Sequence, residues 1–338
     1  MKRICVTGGA GFIGSAFVRY QLETYPDVHI VNFDKLTYAG NLANVQDCDP
    51  ARHTFVQGDI ADRAAIQAAM DGCDAIVNFA ADTHVDRSIM GATDFIATNC
   101  TGVYNICEAA RELGTPRVLL VSTDEVYGSI REGSFTESDP PGPRNPYSAS
   151  KAGGELIALA HHETFGTPVM ITRGSNTYGP YQYPEKVMPL FITNLIEGEQ
   201  VPLYQGGEHN VRDWLWVYDH ASGVDAALRA GTPGQVYNVA GGNERENIVL
   251  THKLLELCGR DASFIRLVKD RPGHDFRYSI DASKLRALGW APEMDWEEGV
   301  AATVAWYREN EAWWRPIKSG EFKEYYRRQY EERQEAGA

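Results

Sequence analysis

Thr123, Asp124 and Glu125 place a hydroxyl and two carboxyl groups side by side, directly after Ser122 and the apolar run Val118-Leu-Leu-Val121. Four apolar residues, two of them β-branched, predict a strand buried on both faces. In open α/β sheets ligands bind at the carboxyl ends of strands. Two adjacent carboxyl groups there suit a general acid and a general base, and in a closed site their pKa values separate because both cannot ionise cheaply. The plain alternative is a solvated strand end that caps a turn. Further on, Asn145 and Pro146 read as an N-cap with proline in the first helical turn. Tyr147 and Lys151 then share one face of that helix. An ammonium beside the phenol can lower its pKa from about 10, which makes Tyr147 a base near neutral pH.

The elements that must position these groups are legible upstream. Residues 3–7 predict a short strand, followed at once by Gly8-Gly-Ala-Gly11-Phe12-Ile13-Gly14. Glycines at this spacing, between a strand and a helix, allow a tight turn, close approach to a pyrophosphate and tight helix–strand packing. A helix is predicted over 12–23. A second strand ends in Asp34, about twenty residues after Gly14, where an acidic residue takes the hydroxyls of an adenine-side ribose and repels a 2′-phosphate. NAD is favoured over NADP, although Lys35 could tolerate the phosphate. A strand over 53–57 leads to Asp59 and Ile60, a natural place for an adenine ring. Further elements are a helix over 64–70, a strand over 74–79, the polar run 85–88 and a long amphipathic helix over 92–113. Successive βα units specify a parallel, doubly wound sheet with right-handed crossovers.

Beyond Tyr147 the rhythm loosens, with a helix over 187–196, strands over 201–204 and 214–217, and packing helices from 296 to about 333. The expected organisation is a Rossmann-type α/β domain over 1–180 and, over 181–338, a smaller α/β lobe for substrate, with the chain crossing back between them. The formal net charge of −14 argues against nucleic acid or an anionic membrane as partner. Cys5, Cys48, Cys73, Cys100, Cys107 and Cys258 are scattered without a Cys-x-x-Cys pair, the usage of a reducing compartment. The adjacent His161 and His162 point to different sides of a helix, so no metal is expected there. With no apolar run long enough for a membrane span and a first strand that begins at once, a cytoplasmic location is expected.

Taken together these motifs resemble the extended short-chain dehydrogenase/reductase family, and within it the nucleotide-diphosphate-glucose 4,6-dehydratases. The resemblance is carried by residues 7–14, 34–42, 84–88, 122–128, 147–151, 175–182, 184–186, 211–215 and 270–274. The adjacent Asp-Glu pair is the discriminating feature, since related epimerases and decarboxylases generally lack it. Thr177 stands where many members have Asn, and Gly174 is a less usual neighbour.

The resemblance implies NAD held by Gly8, Gly11, Phe12, Ile13, Gly14, Asp34, Lys35, Leu36, Thr37, Asp59, Ile60, Phe79, Ala80, Ala81, Thr83, Thr98, Tyr147, Lys151 and Thr177. It implies a sugar nucleotide, dTDP-glucose first, bound by Thr83, Thr123, Asn176, Lys186, Val187, Pro202, Tyr204, Arg212, Asn247, Asp270, Arg271 and His274. Arg212 and Arg271 suit a diphosphate, although a surface ion pair of Arg212 with Asp213 or Asp219 is the bland reading. The implied catalytic set is Thr123, Asp124, Glu125, Tyr147 and Lys151, and the implied assembly a homodimer built on the helices near 92–113 and 146–166. Rival readings are an epimerase, a decarboxylase or a UDP- or CDP-glucose 4,6-dehydratase of the same fold and, from another class, a non-catalytic NAD-sensing binder.

Overall fold

The computed structural model describes residues 1–270, 274–319, 326, 327 and 330. The first half alternates strand and helix as the sequence predicts: β1 (Arg3–Thr7), α1 (Phe12–Thr24), β2 (His29–Asp34), β3 (His53–Gln57), α2 (Arg63–Met70) and β4 (Ala75–Asn78). The polar run after β4 folds into α3 (Val85–Met90), and α4 (Thr93–Ile96) follows. The predicted long helix is continuous in its turns but widens to π geometry over Ala97–Gly102 before α5 (Val103–Leu113). Then come β5 (Val118–Thr123), α6 (Pro146–Phe165), β6 (Val169–Gly174) and β7 (Asn176–Tyr178).

The remaining chain forms α7 (Val187–Glu197), β8 (Val201–Gln205), β9 (Val211–Trp216), α8 (Val217–Ala230), β10 (Val236–Val239) and β11 (Glu244–Glu246). It ends in α9 (Asn247–Leu257), β12 (Ile265–Lys269), α10 (Ser283–Arg286), α11 (Trp296–Glu309) and α12 (Glu311–Ile317). No helix among the described residues is long and apolar enough to cross a membrane.

Seven strands make one sheet in the order β10-β6-β5-β4-β1-β2-β3, with every pairing parallel. Because successive strand residues face opposite sides, a strand buried on both faces must be apolar at every position. β5 meets that demand: Leu119 and Val121 join the core under α1 and α8, while Val118 and Leu120 join the core under α2, α5 and α6. A third core fills the smaller lobe, where Tyr178, Trp214, Trp216 and the apolar faces of α7, α9 and α11 meet. That lobe carries the three-stranded sheet β11-β9-β7 and the pair β12-β8. β10 and α8, from the second half of the sequence, return to the large sheet.

Strand order reverses at β1, whose neighbours are β4 and β2, and the crevice above their carboxyl ends is where such sheets take ligands. Gly8 adopts a left-handed backbone with φ of 68°, and its N–H donates to the Phe33 carbonyl at 2.9 Å. At Gly14 an added Cβ would stand 2.2 Å from the Gly8 carbonyl oxygen, and neither backbone can yield. Gly14→Ala is therefore expected to destabilise the protein by ~2–4 kcal/mol, read as a lower urea midpoint with unchanged slope. A midpoint equal to the parent's would refute this packing.

Candidate active site

Strand β5 ends in its two polar residues, Ser122 and Thr123. After Thr123 the chain makes a single 3-10 turn over Asp124–Tyr127, capped by the Thr123 hydroxyl, which accepts from the Glu125 N–H at 3.3 Å. This turn buries Asp124 to 3% exposure and leaves its Oδ2 without a hydrogen-bond partner among the described residues. Burial raises the Asp124 pKa well above the usual carboxylate range, and the charges of Glu125 and Asp213 raise it further. Arg212 and the Thr123 hydroxyl oppose the rise. Burial thus favours the protonated form of Asp124.

Helix α6 brings the second half of the chemistry. Its N-cap is a reciprocal box: Ser148 N–H donates to Asn145 Oδ1 at 2.8 Å, and Asn145 N–H donates to Ser148 Oγ. The same cap reaches the strand end, since Asn145 Nδ2 lies 3.5 Å from Glu125 Oε2. Tyr147 N–H donates to Ser88 Oγ at 3.2 Å, which fixes the first turn against α3. One turn on, the Lys151 ammonium donates to the Val121 carbonyl at 2.8 Å.

The Tyr147 phenol hydrogen-bonds with Thr123, yet burial and the negative charge of Glu125 push its pKa up. Lowering of this pKa by Lys151, the expectation from the spacing, is not what this arrangement yields. The ammonium points at a strand carbonyl, and burial has pushed its own pKa down to about 8. A buried phenol needs a further positive charge before it can act as a base.

All the expected cofactor residues except Leu36 line one cavity, and Thr83, Thr123, Asn176 and Lys186 from the expected substrate set line it too. Leu36 contributes its backbone: its N–H donates to Asp34 Oδ1 at 2.8 Å, while Ala10 N–H donates to Asp34 Oδ2 at 2.9 Å. Each carboxylate oxygen keeps a lone pair for a ribose hydroxyl. Lys35, on the same cavity wall, pairs with Asp59 at 2.7 Å.

Val187, Pro202, Tyr204, Arg212, Asn247, Asp270 and His274 stand outside that lining, and Arg271 lies outside the described residues. Tyr204, His274, Asp270 and Asn247 form a neighbouring group. The Tyr204 and His274 rings meet edge-on at 5.6 Å, His274 Nδ1 is 2.7 Å from Asp270 Oδ1, and Asn247 Nδ2 donates to Gly207 O at 2.9 Å. Val187 is on the surface at the start of α7, and Pro202 packs within β8. Arg212 links the two groups. It is buried, donates to the Val211, Phe276 and Asp275 carbonyls, stacks over Tyr278 at 4.3 Å and bears on the charge of Asp124. It is thus no surface ion pair. Asp213 takes the Gly241 and Asn243 N–H groups, and Asp219 takes those of Glu293 and Met294.

Sequence reasoning assigned no role to Ser122, Gln182, Glu185 and His220, which also line the cavity. Glu185 is buried and accepts from Tyr38 Oη at 3.0 Å and Arg87 Nε at 3.2 Å. The His220 ring sits against Gly174, with Nδ1 2.7 Å from Thr177 Oγ1, and burial pushes its pKa down to about 4, so it is neutral. An acid flanked by Pro184 and Lys186 was a usable signal for Glu185; for the others no spacing rule exists. Around this cavity, side-chain atoms of Ser122, Asp124, Asn176, Gln182 and His220 are buried with no partner among the described residues, a cost usually tolerated where a ligand is received.

A doubly wound sheet with a glycine turn at its switch point, a Thr-Asp-Glu strand end and a Tyr-Lys helix is the architecture of short-chain dehydrogenase/reductase enzymes. The family described as GDP-mannose 4,6 dehydratase is matched over residues 5–303, and the chain belongs to it. The dTDP-glucose 4,6-dehydratase of Streptomyces niveus is 50% identical, over 94% of this chain and 96% of its own length. A solved dTDP-glucose 4,6-dehydratase from Streptomyces venezuelae, with NAD bound, superposes with a TM-score of 0.91 at 52% identity, covering 94% of this chain and 100% of that one. The UDP-glucose 4-epimerase of Thermus thermophilus, in complex with NAD, gives 0.84 at 30% identity, covering 91% and 99%.

The depressed Lys151 pKa has a stability signature. Its folded value of about 8 lies below the unfolded value of about 10.5, so between them the unfolded chain binds the extra proton and this group's contribution to stability rises with pH. The stability of Lys151→Met relative to the parent is therefore expected to fall as the pH rises from 8 to 10.5. A pH series of urea titrations measures this, and a difference that stays constant would contradict it.

Proposed function

We propose that the protein is an NAD-dependent dTDP-glucose 4,6-dehydratase that forms the 4-keto-6-deoxy sugar nucleotide. The observation that carries the reading is Asp124, buried beside Glu125 and lining the same cavity as the Tyr147 phenol. An epimerase or decarboxylase has no use for an acid and base paired in this way. The glycine turn, the open lone pairs of Asp34 and the unpartnered atoms of the inner wall fit a dinucleotide. When bound, NAD supplies the hydride acceptor and later donor, and its oxidised ring is the cation that the buried phenol needs.

The chain's own groups divide the remaining steps. Tyr147 takes the proton of the C4 hydroxyl, and Thr123 orients that oxygen. Once C4 is a ketone the C5 hydrogen is acidic, and Glu125, steadied by the Asn145 amide, removes it. Asp124 donates its proton to the departing C6 hydroxyl, and water leaves. Lys151, anchored on Val121, holds positive charge close to the Tyr147 turn. Arg212, whose charge bears on Asp124, and the Tyr204–His274 group of the smaller lobe are read as the seat of the nucleoside diphosphate. Residues 1–180 supply most of the cofactor seat and the later residues most of the sugar-nucleotide seat.

Six free cysteines support a reducing, cytoplasmic location. A homodimer is supported by apolar side chains left open on α3 to α6: Met90 is 59% exposed, Ile96 55%, Leu156 58% and Phe165 55%. Such a concentration on neighbouring packed helices is what an interface between copies covers. Leu156→Glu is expected to shift the sedimentation coefficient toward the monomer, and an unchanged coefficient would count against this face.

The activity test is to offer dTDP-, UDP- and CDP-glucose together and weigh the products by mass spectrometry. Loss of one water from the dTDP sugar in preference to the others is expected; intact mass throughout would overturn the reading. Tyr147→Phe should slow turnover by roughly 10²–10⁴-fold. In Glu125→Gln, solvent deuterium should no longer enter C5, and undiminished exchange would remove Glu125 as the base.

A further inference from the structure

Far from the reacting groups, one buried amide joins the end of the described chain to the cofactor turn. Asn44 is 1% exposed. Its Nδ2 donates to the Ala10 carbonyl at 2.9 Å, and its Oδ1 accepts from the Trp313 indole N–H at 2.9 Å. An indole only donates and a carbonyl only accepts, so the two partners fix which way the amide faces. Ala10 is the centre of the glycine turn, and its own N–H is held by Asp34 Oδ2. The Asn41 N–H joins Asn44 on the same carbonyl at 3.0 Å. The peptide that aims the turn's N–H groups is therefore held from both sides, and one hold runs through Asn44 to α12.

The same tryptophan reaches the other wall of the cavity. Trp313 packs against Tyr181 at 5.6 Å and Trp306 at 5.2 Å, and Tyr181 in turn lies 4.5 Å from Trp306 and under the Arg19 guanidinium at 4.1 Å. Arg19 also donates to the Asn44 carbonyl. Tyr181 has a left-handed backbone, φ of 66°, a conformation that persists for a non-glycine residue only when its surroundings enforce it. It immediately precedes Gln182 and Tyr183, which line the cavity. The Tyr307 hydroxyl holds the Gln182 carbonyl from α11.

We propose that Trp313 is a positioning residue for the bound dinucleotide. Its indole N–H sets the Asn44 amide and thereby the glycine turn, and its ring helps hold the left-handed Tyr181 beside the cavity-lining Gln182 and Tyr183. The substrate chemistry requires a cofactor that stays in place from oxidation to hydride return, and this strut supplies the hold. The inference rests on the reading that the site binds NAD.

The test is Trp313→Phe, which keeps an aromatic ring and removes the N–H. Holoenzyme loaded with labelled NAD is chased with excess unlabelled NAD. Release is expected to speed up about tenfold, the worth of one hydrogen bond to a buried acceptor. The concentration of added NAD that restores half-maximal rate should rise in step, while the rate at saturating NAD falls less than twofold. Asn44→Leu, which removes both partners of the strut, should release NAD at least as fast, and adding Trp313→Phe to it should change release less than twofold. Parental release in Trp313→Phe, or full additivity of the two changes, would overturn the proposal. Parent protein that retains no labelled NAD would instead overturn the reading of the site.

Discussion

A single hydrogen bond, from the Lys151 ammonium to the Val121 carbonyl at 2.8 Å, ties helix α6 to the end of strand β5. The strand contributes the hydroxyl and the carboxyl pair, and the helix contributes the phenol; the two come from unrelated stretches of chain. Nothing in either element alone dictates their relative height. The ammonium helps to set it, together with the Tyr147 N–H on Ser88 and the buried Arg173–Glu155 ion pair, because a buried cation must find acceptors and the carbonyl of Val121, at the edge of the apolar run, is one. With α6 pinned there, its first turn is carried over Thr123, and the Asn145 cap arrives beside Glu125.

Around that junction, burial rather than charge pairing sets the protonation states. Desolvation favours the neutral forms of Asp124, Tyr147 and His220, and Lys151 is pushed the same way. A pocket tuned in this manner is poised for a ligand that brings charge with it. The positively charged contribution from the smaller lobe, Arg212, is spent partly on backbone carbonyls and a tyrosine face, so it moderates Asp124 without forcing it to ionise. The two lobes therefore share the electrostatics of one acid.

The sequence made the large sheet legible because its signals are local: apolar runs of strand length, glycines at fixed spacing, an Asn-Pro helix start. The alternation along β5, in which Leu119 and Leu120 enter different cores, follows from the two-residue period alone. The residues expected at the cofactor were legible as a group for the same reason, since all but Leu36 line one cavity. The smaller lobe was less so. Tyr204, Asn247 and His274 lie on segments with no shared period, and they meet each other rather than the main cavity. The π widening at Ala97–Gly102 leaves no mark on amphipathic spacing, because its extra residue is absorbed within a few positions. Glu185 and His220 were missed since their importance comes from tertiary burial, which no window of sequence contains.

The return of β10 to the edge of the seven-stranded sheet has a consequence for biosynthesis. Until residues 236–239 have left the ribosome, β6 is an open edge whose backbone donors and acceptors face water or a neighbouring nascent chain. Residues 175–235, which build much of the other lobe, must be synthesised in that interval. Completion of the first lobe is thus timed by translation of the second, and a pause there prolongs exposure of a strand whose last residue, Gly174, lines the cavity.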